Sequence, residues 1–531
     1  MVSHAGDKRY EVRKYTIDDL IDILAAHPDT SPEVVRKKAH IDYFREYFGP
    51  TGVNAETILV EYGYIDRDFL EDHASFYVRC FHDYASVCRR LHFFSERIEA
   101  EDFSHLLQGT ADPSFPETLR STYLGFIVAK PLPKAVIGRT CLKTYESEGC
   151  RHFPITQEYK AHLFGFELKI RETLAFQEQD SVAAACASST LWSAFQGTGK
   201  QFQHHIPSPV EITRAALARF PMDERDLPNH GLFTWQMAHA ISSVGLVPYP
   251  IRINDKISDT FCLQSSIYAY LQGGIPIPLL VDLRDWANSE DLGGHAVAVT
   301  GYRLGRGAPT SYGPTHFLLK ATRIDKFYAH DDGIGPFARM ELETVTVANR
   351  PADCVRLTTS WRDMKGNKGN VYAYPQSMLV PLYHKIRIPF RKALNAVTSF
   401  DAFTKLPEVN KELNLAGELE WDVYLTDVNK LKSEVAESEH LQRAYRESVL
   451  LEGMPKYIWR ATAETKGQKV LDLILDATDI EHGPLMVRAI EHDADFGDTL
   501  RRCTRVESIM QPFAAHSIYR LLQWFAKQPL P

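Results

Sequence analysis

The sequence predicts a mixed α+β chain built from more than one domain. Helix start signals alternate in no fixed order with strand-length runs of β-branched and aromatic residues. No internal repeat or low-complexity tract is present. At 531 residues the chain also exceeds what one hydrophobic core ordinarily covers, and two to three domains are expected.

The elements follow in order. Thr16 precedes IDDLIDILAA with acidic residues in the first turn, which predicts a helix. Ser31-Pro32-Glu33 opens a second helix over VVRKKAHIDYFREYF, and Gly49-Pro50 stops it. From Thr57 to Glu172, SFYVRCF, STYLGFIVAKPL, AVIGRTCLKTY and AHLFGFELKI read as strands. Residues 1–165 therefore form a helical lead-in and a β-rich region, with 166–400 as a central domain. At its end NVYAYPQSMLVPLYHKIRI reads as one or two strands completing a central sheet, and PFRKALNAVTSFDAF as a helix. Residues 401–531 are expected to form a separate α+β domain, with a linker near Pro407 to Gly417. Within it, 427–451 reads as one long charged helix with Val428, Leu431, Val435 and Leu441 at helical spacing. KYIWRATA, KVLDLILDATDI and PLMVRAIEH follow as strands, and HSIYRLLQWFAKQ as an amphipathic helix.

Composition bounds the function. The formal net charge of −8 gives no basic field for nucleic acid. The N-terminus MVSHAGDKRYEVRKY lacks the apolar centre of a signal peptide, and no apolar run reaches the roughly 20 residues of a membrane span. A cytosolic location with no membrane partner is the expectation. The eight cysteines are scattered without a CxxC pair and read as mostly reduced thiols.

The stretch FQEQDSVAAACASSTLW carries the clearest chemical signal. A small-residue run leads into an apolar segment (Leu191, Trp192, Phe195) that reads as a buried helix, placing Cys186 near a helix N-terminus, where a thiolate is favoured. Downstream, GGHAVAVTGY puts His295 at the head of an alternating strand, with Gly293-Gly294 leaving room for close approach. FYAHDDG puts Asp331 at the end of another strand, with Asp332 competing for the same role. A thiol, a base and an orienting carboxylate are the groups nucleophilic catalysis requires. His204-His205, and His316 and His330 with the aspartates near Asp331, are of metal-ligating types. Without HExxH or CxxC spacing no metal is expected, and without GxGxxG or a P-loop no nucleotide cofactor.

These pieces together resemble the papain-like cysteine peptidases, closest in style to the bacteriocin-leader-processing (C39-like) branch. The likeness runs from about residue 166 to 343. It includes GLFTWQMAHAISSVGLVPYPI as a mid-domain helix ending at a Gly. IYAYLQGGIPIPLLVDL supplies a helix, a Gly-Gly turn and a buried strand before the histidine, and RLGRGAPTSYGPTHFLLKATRID reads as a hairpin insertion. The resemblance implies a helix bearing the nucleophile packed on an antiparallel sheet. It also implies Cys186 as nucleophile, His295 as base, Asp331 as orienting group and a Gln before the cysteine as oxyanion donor. Gln179 is the nearest match and Gln177 the alternative. A peptide or protein substrate and a regulatory protein partner for the flanking regions are the expected partners, in a build that suits a regulated bacterial stress or antiphage protease. The same residues serve a deamidase or transglutaminase-like acyl transferase. Ala187, standing where the family usually carries Gly, keeps open a catalytically inactive papain-like binding module.

Overall fold

The computed structural model describes residues 8–145, 149–180, 186–218, 231–253, 257–285, 290–345, 354–363, 365–480, 485–516 and 518–529. The fold is mixed α+β with several sheets, one closed into a barrel. The chain divides into two compact units that interleave in sequence: 1–255, 275–303 and 326–381 form the first, and 256–274, 304–325 and 382–531 the second. The sequence reading instead cuts the chain at 165 and 400.

The first unit begins with a five-stranded antiparallel sheet in the order Tyr10–Lys14, Thr57–Tyr64, Cys88–Phe94, Tyr123–Ala129, Ile137–Leu142. Helix Ile17–Leu24 starts where the Thr16 hydroxyl accepts the Asp19 N–H at 3.0 Å. Its Leu20, Ile21, Ile23 and Leu24 join Phe44, Phe48, Ile58 and Phe93 in a core over the sheet. The helix expected over 32–48 is two, Pro32–Arg36 and Ala39–Tyr47, because Lys38 takes an extended conformation. That break turns Lys38 toward an ion pair with Glu178. SFYVRCF is not a strand. Asp66 caps helix Arg67–Ser75 through the Phe69 N–H, and the segment continues as a 3-10 turn, Tyr77–Arg79, with Tyr77 packed against Phe69 and Phe76. The 57–172 region also carries helices Ala100–Gln108 and Phe115–Ser121.

The barrel follows. Strands run in the order Ile277–Asp285, Glu290–Leu304, Ile324–Asp331, Gly335–Val345, Cys354–Thr358, Val371–Tyr383, and antiparallel pairing of the last with the first closes the ring. NVYAYPQSMLVPLY is thus one strand, and it completes the sheet by closing it. Leu246–Arg252 also pairs with that last strand. Helices Cys186–Phe202, Pro209–Leu217 and Thr234–Ser243 belong to the same unit.

The second unit holds a six-stranded sheet: Ser311–Tyr312, Phe317–Leu319, Glu420–Asp427, Tyr457–Thr465, Gln468–Asp476, Met486–Glu491. Ser311–Tyr312 and Phe317–Leu319 form the hairpin expected within 303–325. The 427–451 helix is broken at Ser438, which is extended, giving Val428–Glu437 and Arg443–Leu451. The break lets Leu431 and Val435 of the first piece, Val449 of the second and Leu441 between them pack into one core. Lys432 Nζ then donates to the terminal carbonyls Leu450 and Glu452 at 2.8 and 2.7 Å. Pro407–Leu413, expected within a linker, is a helix that starts on its proline and ends at Asn414 in the left-handed region. Among the described residues no helix is long and apolar enough to cross a membrane.

Candidate functional site

The approach to the 186–202 helix is laid along the N-terminal sheet. Thr140 and Phe176 exchange backbone hydrogen bonds of 2.7 and 2.9 Å, and the Glu178 N–H reaches the Ile137 carbonyl at 3.1 Å. Glu178 Oε2 accepts the Ile137 N–H at 3.0 Å, while its other oxygen pairs with Lys38. Tyr77 donates to both Asp180 oxygens, at 2.9 and 2.7 Å. Residues 176–180 therefore lie along the N-terminal sheet as an extra edge.

Helix Cys186–Phe202 is then pinned by three buried polar bonds in its first turns. The Ser188 and Thr213 hydroxyls bond at 2.8 Å, Trp192 Nε1 donates to Asp68 at 3.0 Å, and the Thr190 hydroxyl donates to the Ala296 carbonyl at 2.7 Å. The last fixes the helix against the strand bearing His295. Position 186 lies four residues before Thr190, one turn away on the same helix face. Cys186 opens the helix, as the sequence suggests, and its side chain lies outside the described residues.

His295 and Asp331 come together. His295 stands inside strand Glu290–Leu304, opposite Val281, rather than at its head, because pairing with Ile277–Asp285 continues back to Glu290. Its Nε2 lies 3.2 Å from Asp331 Oδ2 and 3.7 Å from Asp332 Oδ1. Using Nε2 for the carboxylate fixes the tautomer and ring orientation and leaves Nδ1, on the other edge, as the nitrogen that would take a proton from a nucleophile.

Asp331 is fully buried and well satisfied. Oδ2 accepts Trp361 Nε1–H at 2.8 Å as well as His295, and Oδ1 accepts the Gly333 N–H at 2.9 Å. Burial opposes its charge, but His295 and these donors outweigh it and hold the carboxyl below its usual range. Asp332 contrasts with it. Burial pushes its carboxyl up to about 6, reinforced by the charge of Asp331 and only partly relieved by His295. Oδ1 of Asp332 is buried without a hydrogen-bond partner. Of the two candidates left by the sequence, Asp331 makes the closer and better supported contact with His295. Among the described residues, His295, Asp331 and Asp332 also offer three ligand atoms within 4.8 Å of one another, a grouping of metal-ligating types that spacing alone did not reveal.

The neighbouring His330 is a structural residue. Nε2 donates to the Leu174 carbonyl at 3.1 Å and Nδ1 accepts the Phe337 N–H at 3.1 Å, so both nitrogens are committed. Burial holds its pKa down to about 4, and the ring stays neutral. It clamps the 174–180 stretch to the barrel.

Two supporting residues escape sequence reasoning. Trp361, in the loop before the last barrel strand, meets the His295 ring edge-to-face with centroids 6.5 Å apart, besides bonding Asp331. Its neighbour Arg362 pairs with Asp42 in the N-terminal helix, which anchors the loop. His40, on the same helix, bonds the Asp332 carbonyl at 2.9 Å. Nothing local marks these positions; only the fold brings them to the site.

For the oxyanion role, Gln179 is half-buried and Gln177 is buried, with its Nε2 lacking a partner. An orphaned buried donor is costly in the resting protein and suits a site completed by substrate. The chain matches no protein-family model, and no curated protein matches it.

Proposed function

We propose that the chain is a papain-like cysteine peptidase acting in the cytosol on a peptide or protein substrate. The observation that carries this reading is the buried Asp331–His295 pair standing beside Ala296, whose carbonyl is tied to Thr190 one helical turn after Cys186. In the proposed reaction the Cys186 thiolate attacks a peptide carbonyl and His295 carries the proton from the thiol to the leaving amine. Asp331 orients and stabilises the imidazolium, and water resolves the thioester. A backbone amide at the start of the helix and a glutamine, Gln177 or Gln179, would hold the oxyanion. The reading expects a nucleophile-bearing helix packed on an antiparallel sheet, and the helix that opens on Cys186 bonds through Thr190 to a strand of the antiparallel barrel.

The N-terminal region supports the reading in a second way. Lys38, His40 and Asp42 reach Glu178, the Asp332 carbonyl and the Trp361 loop. A protein partner engaging the 32–47 helices would therefore have a short route to the catalytic groups. The test is incubation of wild type and Cys186→Ala with a proteome-derived peptide library. Cleavage by wild type alone supports peptidase chemistry. Loss of ammonia from glutamine, or transfer to an amine without cleavage, would instead assign a deamidase or acyl transferase, and no Cys186-dependent product at all would sink the catalytic reading.

A further inference from the structure

The pair Asp331-Asp332 does something unusual for neighbours in sequence. Adjacent side chains in a regular strand point to opposite faces. Here the pairing register shifts between Ala329 and Asp331, at the end of strand Ile324–Asp331, and both carboxylates converge on one imidazole nitrogen. Trp361 and Gly333 satisfy Asp331, yet Asp332 Oδ1, on a side chain only 7% exposed, has no donor and sits 3.7 Å from His295 Nε2. A general acid–base pair needs one carboxylate. The second, unpartnered and buried, calls for a cation.

We infer that His295, Asp331 and Asp332 form a divalent-metal site that takes zinc and holds the enzyme inactive. Zinc bonds of about 2.0–2.2 Å to one imidazole and two carboxylates place the donor atoms of a tetrahedron about 3.3–3.6 Å apart. The two edges from Nε2 are 3.2 and 3.7 Å, close to that span, and all three ligand atoms lie within 4.8 Å of one another. A set of one nitrogen and two oxygens from three side chains suits zinc better than magnesium or calcium, which require more oxygen ligands. Binding replaces the Nε2 proton, which is released to solvent, and an imidazole held by zinc through Nε2 no longer pairs with Asp331 as an acid–base unit. Metal occupancy and catalysis are then mutually exclusive states of one cluster. The inhibitory part rests on the peptidase reading; the binding part does not.

The test uses the full chain freed of metal by a chelator and titrated with zinc against a chromophoric competitor. Wild type and Cys186→Ser are expected to bind one equivalent. Asp332→Asn, which keeps the shape, and His295→Gln are each expected to lose at least about tenfold in affinity, since even outer partners of metal sites contribute that much. Both variants are used so that a folding defect in one, seen in its circular dichroism, leaves the other decisive. Zinc should also slow alkylation of Cys186 in wild type, with the rate restored by chelator. Unchanged affinity in both variants, no stoichiometric binding, or binding lost in Cys186→Ser but kept in Asp332→Asn overturns the site. If zinc binds as described but Cys186 is unreactive in the metal-free protein, the peptidase reading fails and the metal site stands.

Discussion

Trp361→Phe perturbs the site at one atom. The substitution keeps a ring against His295 but removes the N–H that reaches Asp331 Oδ2 at 2.8 Å. A hydrogen bond to a buried ionised group contributes about 1.5–3 kcal/mol, and the smaller ring leaves a void costing about 1 kcal/mol more. Trp361 is 6% exposed, so solvent does little to replace the bond. The loss should lower the thermal midpoint by several degrees. His295 and Gly333 still hold the carboxylate. About half of the loss should therefore reach the imidazolium, slowing alkylation of Cys186 by about tenfold at mildly acidic pH, since 1.4 kcal/mol is a factor of ten. Both readouts matter: a variant that melts and alkylates like wild type would show that Trp361 does not support the Asp331–His295 pair.

Other outcomes follow from the same geometry. Thr190→Val removes the hydroxyl that reaches the Ala296 carbonyl and should cost about 1–3 kcal/mol while slowing Cys186 labelling; Ser188→Ala, on the Thr213 side of the helix, should destabilise similarly with less effect on labelling. Gln177→Leu replaces an orphaned amide with an apolar group of similar size, so its melting temperature should match or exceed wild type; if Gln177 is the oxyanion donor, acyl transfer should fall by about a hundredfold or more, whereas the same loss in Gln179→Ala alone would assign the role there. His92 is fully buried between Tyr123 and Glu61, and burial holds its pKa down to about 4. Because protonation is easier in the unfolded chain, this stability is present above about pH 6.5 and declines as pH falls toward 4, amounting to about 3 kcal/mol. His92→Gln should flatten that slope in stability measured across the window, and an unchanged slope would mean that other groups dominate acid unfolding.

Much of the fold was legible where the signal is local. The Thr16 cap, the Gly-Gly turn before Ile277–Asp285, the alternation of AVAVTGY and the amphipathic closing helix each declare themselves within a dozen residues. Breaks inside charged helices did not. Lys38 and Ser438 carry no glycine or proline, and their extended conformations answer to a distant Glu178 in one case and a shared core in the other. SFYVRCF has strand composition, but the Asp66 cap upstream commits the chain to a helix first. The closure of the barrel was equally hidden, since pairing of 277–285 with 371–383 spans far more sequence than any pattern covers.

The site divides the same way. His295 was readable from the alternation that follows its Gly-Gly pair and Asp331 from its place at the end of a strand before a glycine-marked turn, and the fold brings them to 3.2 Å. The convergence of Asp332 on the same nitrogen depends on a register shift, and Trp361, His40 and Lys38 depend on packing of the N-terminal region against the barrel. That region, without a motif in sequence, turns out to form one edge of the approach to Cys186.

The most direct measurement is the alkylation rate of each cysteine by iodoacetamide from about pH 5 to 9, mapped by mass spectrometry in wild type and His295→Ala. The account predicts that Cys186 alone labels fast at about pH 6, and that His295→Ala returns it to the rate of Cys80, a half-buried cysteine outside the site. Labelling of Cys186 no faster than Cys80 in metal-free wild type, or a fast rate indifferent to His295→Ala, would contradict it.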